Sequence, residues 1–137
     1  VLCAIDLDTV MNSTSLNDFG DAIRSYANTG EEDDRDLSRV GMSLDMFRAY
    51  TEGYLSQRAK QLTEPEIDNL AFSARYITYE QVLRFLMDYI DGDTYYKIKY
   101  PEHNLVRTHA QYELLRSMEK QYGTMCDIVR ETVAKYR

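Results

Sequence analysis

The chain has 137 residues and a formal net charge of -7, a length suited to one compact domain with a real core. Its sharpest charge run is acidic, Glu31-Glu32-Asp33-Asp34, which argues against a phosphate-backbone partner such as nucleic acid. Two cysteines, Cys3 and Cys126, suggest neither a disulfide framework nor a thiolate zinc site, and no stretch approaches the roughly 18 apolar residues needed to span a bilayer, so the expectation is a cytoplasmic protein with no membrane partner.

Residues 1–8 are apolar and rich in strand formers, then turn polar through Thr9 and Asn12-Ser13-Thr14-Ser15, which predicts one N-terminal β-strand running into a loop. The sequence begins inside this apolar run with no polar lead-in, as expected of a piece of a longer chain. From Asp18 the period changes. Phe19, Ala22, Ile23 and Tyr26 recur at helical spacing, predicting a short amphipathic helix that Asp18 opens as N-cap and that ends near Asn28 or Gly30. The acidic run after it reads as a solvated loop. Ser43 is placed to cap a second helix with Met46, Phe47, Tyr50, Tyr54 and Leu55 on its buried side and Arg48, Glu52 and Arg58 in water.

Thr63 and Glu66 form a capping-box pattern with Pro65 in the first turn. A single long helix is expected from there, its apolar stripe running from Ile67 to Tyr89 and stopping before Asp91-Gly92-Asp93. Residues 94–103 alternate in places, but a lone strand between two long helices lacks a partner, so they read as an ordered aromatic loop. Asn104 then caps a last long helix carrying Leu105, Tyr112, Leu115, Met118, Tyr122, Met125, Val129 and Val133 on one face.

The candidate chemistry begins at Asp6 and Asp8. Two residues apart in a strand, they point to the same side, where like charges repel unless a cation or proton sits between them. The plain alternative is a pair of solvated carboxylates starting a turn. Asp6-Leu7-Asp8-Thr9-Val10 also imitates the Asp-x-Asp-x-Thr start of haloacid-dehalogenase-type phosphatases, whose first Asp is the nucleophile; that fold requires further parallel strands, and this chain continues with helices.

Residues 1–11 and then Leu16-Asn17-Asp18-Phe19-Gly20-Asp21-Ala22-Ile23-Arg24 resemble the strand-end metal motif and following helix of aminoglycoside phosphotransferases, and are closest to the N-acetylhexosamine 1-kinase branch of that family. The similarity continues through Ala27-Asn28-Thr29, Glu32-Asp33 and Asp36-Leu37-Ser38. It returns in residues 83–89 and in Tyr95-Tyr96-Lys97-Ile98-Lys99-Tyr100-Pro101-Glu102-His103-Asn104-Leu105. The resemblance implies a mainly α fold, the helical C-terminal lobe of a protein-kinase-like enzyme with one N-terminal strand. It implies ATP as co-substrate and a sugar as acceptor. Asp6, and more weakly Asp8, would hold Mg2+ bridging the nucleotide phosphates. Asp18-Phe19-Gly20 spells the protein-kinase metal triplet but opens a helix, so Asp18 is expected to have a structural duty and no metal.

On the sugar side the resemblance points to Arg84 and Tyr95, a forked donor and a flat ring, with Asp88 as a weaker candidate. Without it, Arg84 and Asp88 read as an i,i+4 surface ion pair worth about 0.3–0.5 kcal/mol. His103 reads as a turn former, and Lys97 and Lys99 as solvated. Kinases of this type need a His-x-Asp catalytic loop with a following Asn. No such motif occurs. The base is therefore expected upstream of Val1 with the nucleotide-binding lobe, and the 137 residues alone are expected to be inactive. Detached from that lobe, the chain would expose apolar surface and self-associate. The non-enzymatic alternative is a helical interaction domain presenting a groove to a partner helix.

Overall fold

The computed structural model describes Cys3 and residues 10–137. The strand expected at residues 1–8, with Asp6 and Asp8 at its end, lies outside the described residues. What is described is mainly α, with no strand among the described residues: α1 (Ser15–Tyr26), a 3-10 turn (Leu37–Arg39), α2 (Leu44–Arg58), α3 (Glu64–Asp68), α4 (Leu70–Ile90) and α5 (His103–Tyr136). No helix of the described residues is long and apolar enough to cross a membrane.

Helix α1 starts earlier than its apolar spacing suggests. Thr14 is the N-cap, its hydroxyl accepting the Leu16 amide at 3.2 Å. Asp18 therefore sits inside the first turn, where a carboxylate suits the positive end of the helix, and is not the cap. The α2 cap is Ser43 as expected, its hydroxyl accepting from the Met46 amide at 3.3 Å. The buried side of α2 is narrower than expected: Phe47, Thr51 and Leu55 are buried, Tyr50 and Tyr54 are partly so, and Met46 is exposed.

The single long helix expected from Thr63 is two. Glu66 accepts from both the Thr63 amide and hydroxyl at 2.8 Å, completing the Glu half of the capping box, but the chain leaves helical geometry at Asn69 (φ -102°, ψ 3°) before α4 begins. At the far end, α5 begins at His103, preceded by Glu102 with φ 70°, a left-handed conformation uncommon for a residue with a side chain. Asn104 is thus a first-turn helical residue with a fully buried side chain, not a cap.

Helix α4 packs most extensively against α5 and then against α1, while α2 lies on α5. The core gathers Phe19 and Ile23 from α1, Phe47 and Leu55 from α2, Leu70 and Ala74 from α4, and Leu114, Met118, Met125 and Ile128 from α5. Phe19 is at its centre, edge-on to Phe47 at 6.2 Å and to Tyr54 at 5.2 Å between ring centroids. Gly20, next to it, lets α1 and α4 approach: a Cβ there would fall 2.5 Å from the Ser73 carbonyl oxygen and 2.9 Å from the Ile77 side chain. The triplet that spells a kinase metal motif is accounted for here by packing, with Asp18 outward, Phe19 in the core and Gly20 at the helix crossing.

The acidic run is not simply solvated. The Asn28–Met42 bridge closes it, Arg24 engages Glu32, Asp34 is buried with an oxygen accepting the Asp36 amide at 3.0 Å, and Asp36 caps the 3-10 turn. Chain reversals of this kind turn polar side chains onto backbone amides that would otherwise lack partners.

Candidate functional site

A cleft of about 830 Å3 opens between the start of α1 and the second half of α4, and the aromatic loop closes one end. Val10 and Met11 line it where the chain enters α1, Asp18, Asp21 and Arg24 project from α1, and Glu80, Gln81 and Arg84 from α4. Tyr95 and Tyr96 complete the wall. A smaller hollow of about 300 Å3 lies beyond, sharing Arg84, Tyr95 and Tyr96 and adding Met87, Asp88, Asp91 and Thr94. Tyr95, 74% exposed, stands between the two.

Arg84 and Tyr95 are brought together. The guanidinium carbon lies 5.8 Å from the Tyr95 ring centroid and 5.6 Å from that of Tyr96, within cation–π range, and the two rings meet edge to face at 4.9 Å. Gln81 donates to the Tyr96 hydroxyl at 3.1 Å, and Phe85 packs on its ring at 4.8 Å. Tyr96 is thereby a fixed support, and Tyr95 leans on it.

Asp88 is fully engaged with its own chain. It neither pairs with Arg84 nor offers an oxygen to the cleft. It is buried, accepts the Tyr95 amide at 2.7 Å and the Tyr96 amide at 2.9 Å, and takes a third bond from the Asn104 side-chain amide at 2.7 Å. Burial pushes this carboxyl up, but the amides of Tyr96, Tyr95 and Thr94 and the Asn104 side chain outweigh it and hold it below the ordinary Asp value. Asp88 positions the aromatic loop, and it also lines the smaller hollow beside Arg84 and Tyr95. Residues 84 and 88 are only about 40° apart around α4, but the amides of the aromatic loop and the Asn104 side chain of α5 claim the Asp88 carboxylate.

The same end of α5 carries a second buried polar contact. His103 is fully buried. Its Nδ1 accepts the Lys99 amide at 3.2 Å, which leaves the proton on Nε2 to donate to Asp33 at 2.7 Å. The bond to His103 is the main cause holding the Asp33 carboxyl below its ordinary value, and Lys99 adds to it. His103 thus closes the local turn before α5, through the Lys99 amide and the Tyr100 carbonyl, and in addition ties the aromatic loop to the acidic run. Lys97 and Lys99 are exposed, as expected.

Arg24 is the cleft residue that sequence reasoning missed. Its side chain is only 13% exposed and is held by Asp21 and Glu32, each at 2.8 Å, and by the side-chain oxygen Oε1 of Gln111 at 3.2 Å. Burial would pull the guanidinium down, and the two carboxylates reverse the effect, so it stays charged. Four acids, Asp18, Asp21, Glu32 and Glu80, face this cleft against two arginines, giving it a negative potential that suits hydroxyl or amino donors better than a bare anion.

No group of His, Cys, Asp and Glu side chains that could hold a metal occurs among the described residues. The two carboxylates read as magnesium ligands, Asp6 and Asp8, lie outside them. No known protein-family model matches the sequence.

Proposed function

We infer that this chain is the helical part of an ATP-dependent phosphotransferase acting on a sugar hydroxyl, with an N-acetylhexosamine as the acceptor. The observation that carries the reading is the cleft in which Arg84 and Tyr95, eleven residues apart in sequence, face the start of α1. Val10 and Met11, which follow the Asp6-Leu7-Asp8 segment, line that same cleft. A sugar fits its chemistry. Arg84 offers a fork of N–H donors to ring hydroxyls, the exposed Tyr95 ring offers an apolar face to the C–H side of a pyranose, and the acids around Arg24 accept from further hydroxyls. In this reading Asp6, and more weakly Asp8, would hold Mg2+, which would neutralise charge on the nucleotide phosphates. The general base and the nucleotide-binding lobe belong to parts of the enzyme outside these residues, because the His-x-Asp loop is not in the sequence.

The test is titration of the isolated chain with N-acetylglucosamine while following backbone amides by NMR. Amides around Arg84 and Tyr95 are expected to shift with a dissociation constant of about 1 mM, and Arg84→Ala is expected to remove the response. Shifts confined elsewhere, or none, would refute the sugar assignment. The same chain with ATP, magnesium and the sugar should show no turnover; turnover would mean that the base has been misplaced. The phosphatase alternative is weakened by the all-helical course of the described residues, which supply no parallel sheet. The interaction-domain reading draws on one feature, the apolar outer face of α4.

A further inference from the structure

Helix α4 is apolar on two sides and covered on one. Its inner face, with Leu70, Ala74, Val82 and Phe85, is buried against α1 and α5. Its outer face carries Phe72, Tyr76, Tyr79, Leu83, Met87 and Ile90, which are 41–71% exposed. At 100° per residue these six and the half-buried Leu86 fall in a band about 100° wide. A helix that is apolar nearly all round belongs in an interior, yet among the described residues nothing covers this side.

The pattern on that face identifies its cover. The positions advance by alternating steps of four and three, 72, 76, 79, 83, 86 and 90, the spacing of a helix–helix seam. They are also symmetric about Gln81: Phe72 and Ile90 lie equally far from it, as do Tyr76 and Leu86, and Tyr79 and Leu83. An alternating four-three series is symmetric in position by construction, so the stripe can meet a second copy of itself antiparallel, as a two-fold interface requires. Its halves differ in kind, aromatic before Gln81 and aliphatic after it, so that pairing sets rings against aliphatic chains. Its composition agrees, with aromatic residues and Met on the stripe and no lysine anywhere in α4. Taking about 200 Å2 per large side chain, the exposed fractions sum to roughly 600 Å2. That is close to the roughly 800 Å2 per partner of a standard interface, and the flanking side chains add to it.

The geometry points to a homodimer of this chain, formed by antiparallel pairing of the α4 outer face with the same face of a second copy about a two-fold axis at Gln81. Phe72 then packs against Ile90 of the other copy, and Tyr79 against Leu83. The inference is independent of the reading of the cleft, which opens on the neighbouring face of α4.

Sedimentation equilibrium on the 137-residue chain at tens of micromolar should give twice the 16.0 kDa mass of one copy. Tyr79→Lys places a charge at the middle of the seam on both copies and should weaken association by about 100-fold. Its helical circular dichroism should be unchanged, since Tyr79 is half exposed. Met46→Lys, at an exposed methionine on α2, should leave the dimer intact. A mass of one copy throughout would overturn the proposal. So would a dimer indifferent to Tyr79→Lys, equal loss in both variants, or species larger than two copies, because a closed two-fold pair leaves no further seam.

Discussion

The two long irregular stretches, residues 28–42 and 91–102, are both anchored on α5, but by different means. The acidic stretch is held at many points. Thr29 bonds the carbonyls of Arg39 and Gly41 through its hydroxyl, at 2.7 and 3.1 Å, Ser43 bonds Ala27 through backbone, and Ser117 and Gln121 of α5 take the amide and carbonyl of Met42 at 3.0 and 2.9 Å. The backbone of the aromatic stretch at Tyr95 and Tyr96 hangs on one carboxylate, Asp88, and the Asn104 amide that bridges it to Asp93, while its later part is tied separately through the Lys99 amide to His103. Distributed bonds tolerate a single loss, whereas a buried hub does not, because removing one partner strands the others away from water. The stretch with the single hub is the one that carries Tyr95.

The sharpest way to break this contrast is Asn104→Ala. It strips Asp88 and Asp93 of a shared donor in a fully buried position and should cost about 2–3 kcal/mol, since the deserted acceptor is charged. Amide exchange at Tyr95 and Tyr96 should accelerate well before that at Met42. Equal acceleration at both would mean that the two stretches form one cooperative unit.

Ser117→Ala is the matching change on the other side. It removes one of several ties to the acidic stretch and should cost about 1 kcal/mol, read as a small fall in the urea midpoint with the protection at Tyr95 kept. A loss as large as that of Asn104→Ala would remove the distinction between distributed and single-hub anchoring.

Mild acid gives the smallest effect and acts on both stretches. Asp88 and Asp33 are held below the ordinary carboxylate value in the folded chain. The stability they contribute is present above the unfolded value of about 3.9 and is lost as pH falls from there through the lower folded values. Protection of the Tyr95 and Tyr96 amides, corrected for intrinsic rates, should persist at pH 5 and fail only below about pH 4. Failure well above pH 4 would mean that these two carboxylates do not set the acid limit of the anchoring.

Helix existence was legible wherever a long stretch repeated its apolar residues. The Ser43 cap and part of the interior stripe of α5, Leu115, Met118, Met125 and Val129, were readable because they depend on neighbours within a turn or two in sequence, whereas Tyr112, expected on that stripe, is exposed and Leu114 is buried in its place. The boundaries moved where a polar side chain four or more residues away competed. Thr14 took the cap from Asp18, and the break at Asn69 hid inside a continuous apolar period. Of the site, Arg84 and Tyr95 were named from sequence and lie together. Arg24 was not, because an arginine in a last helical turn gives no sign that Glu32 and Gln111 will enclose it.

The sequence by itself determined a chain of helices with an aromatic loop before the last one, since periodicity and capping are local properties. Tertiary structure alone decided that Asp88 and His103 are buried anchors, that Gly20 marks a helix crossing, and that one face of α4 is left uncovered by the other described residues. Each of these depends on which surfaces meet across tens of residues, and the desolvation that turns a polar side chain into a rivet exists only once those surfaces have closed.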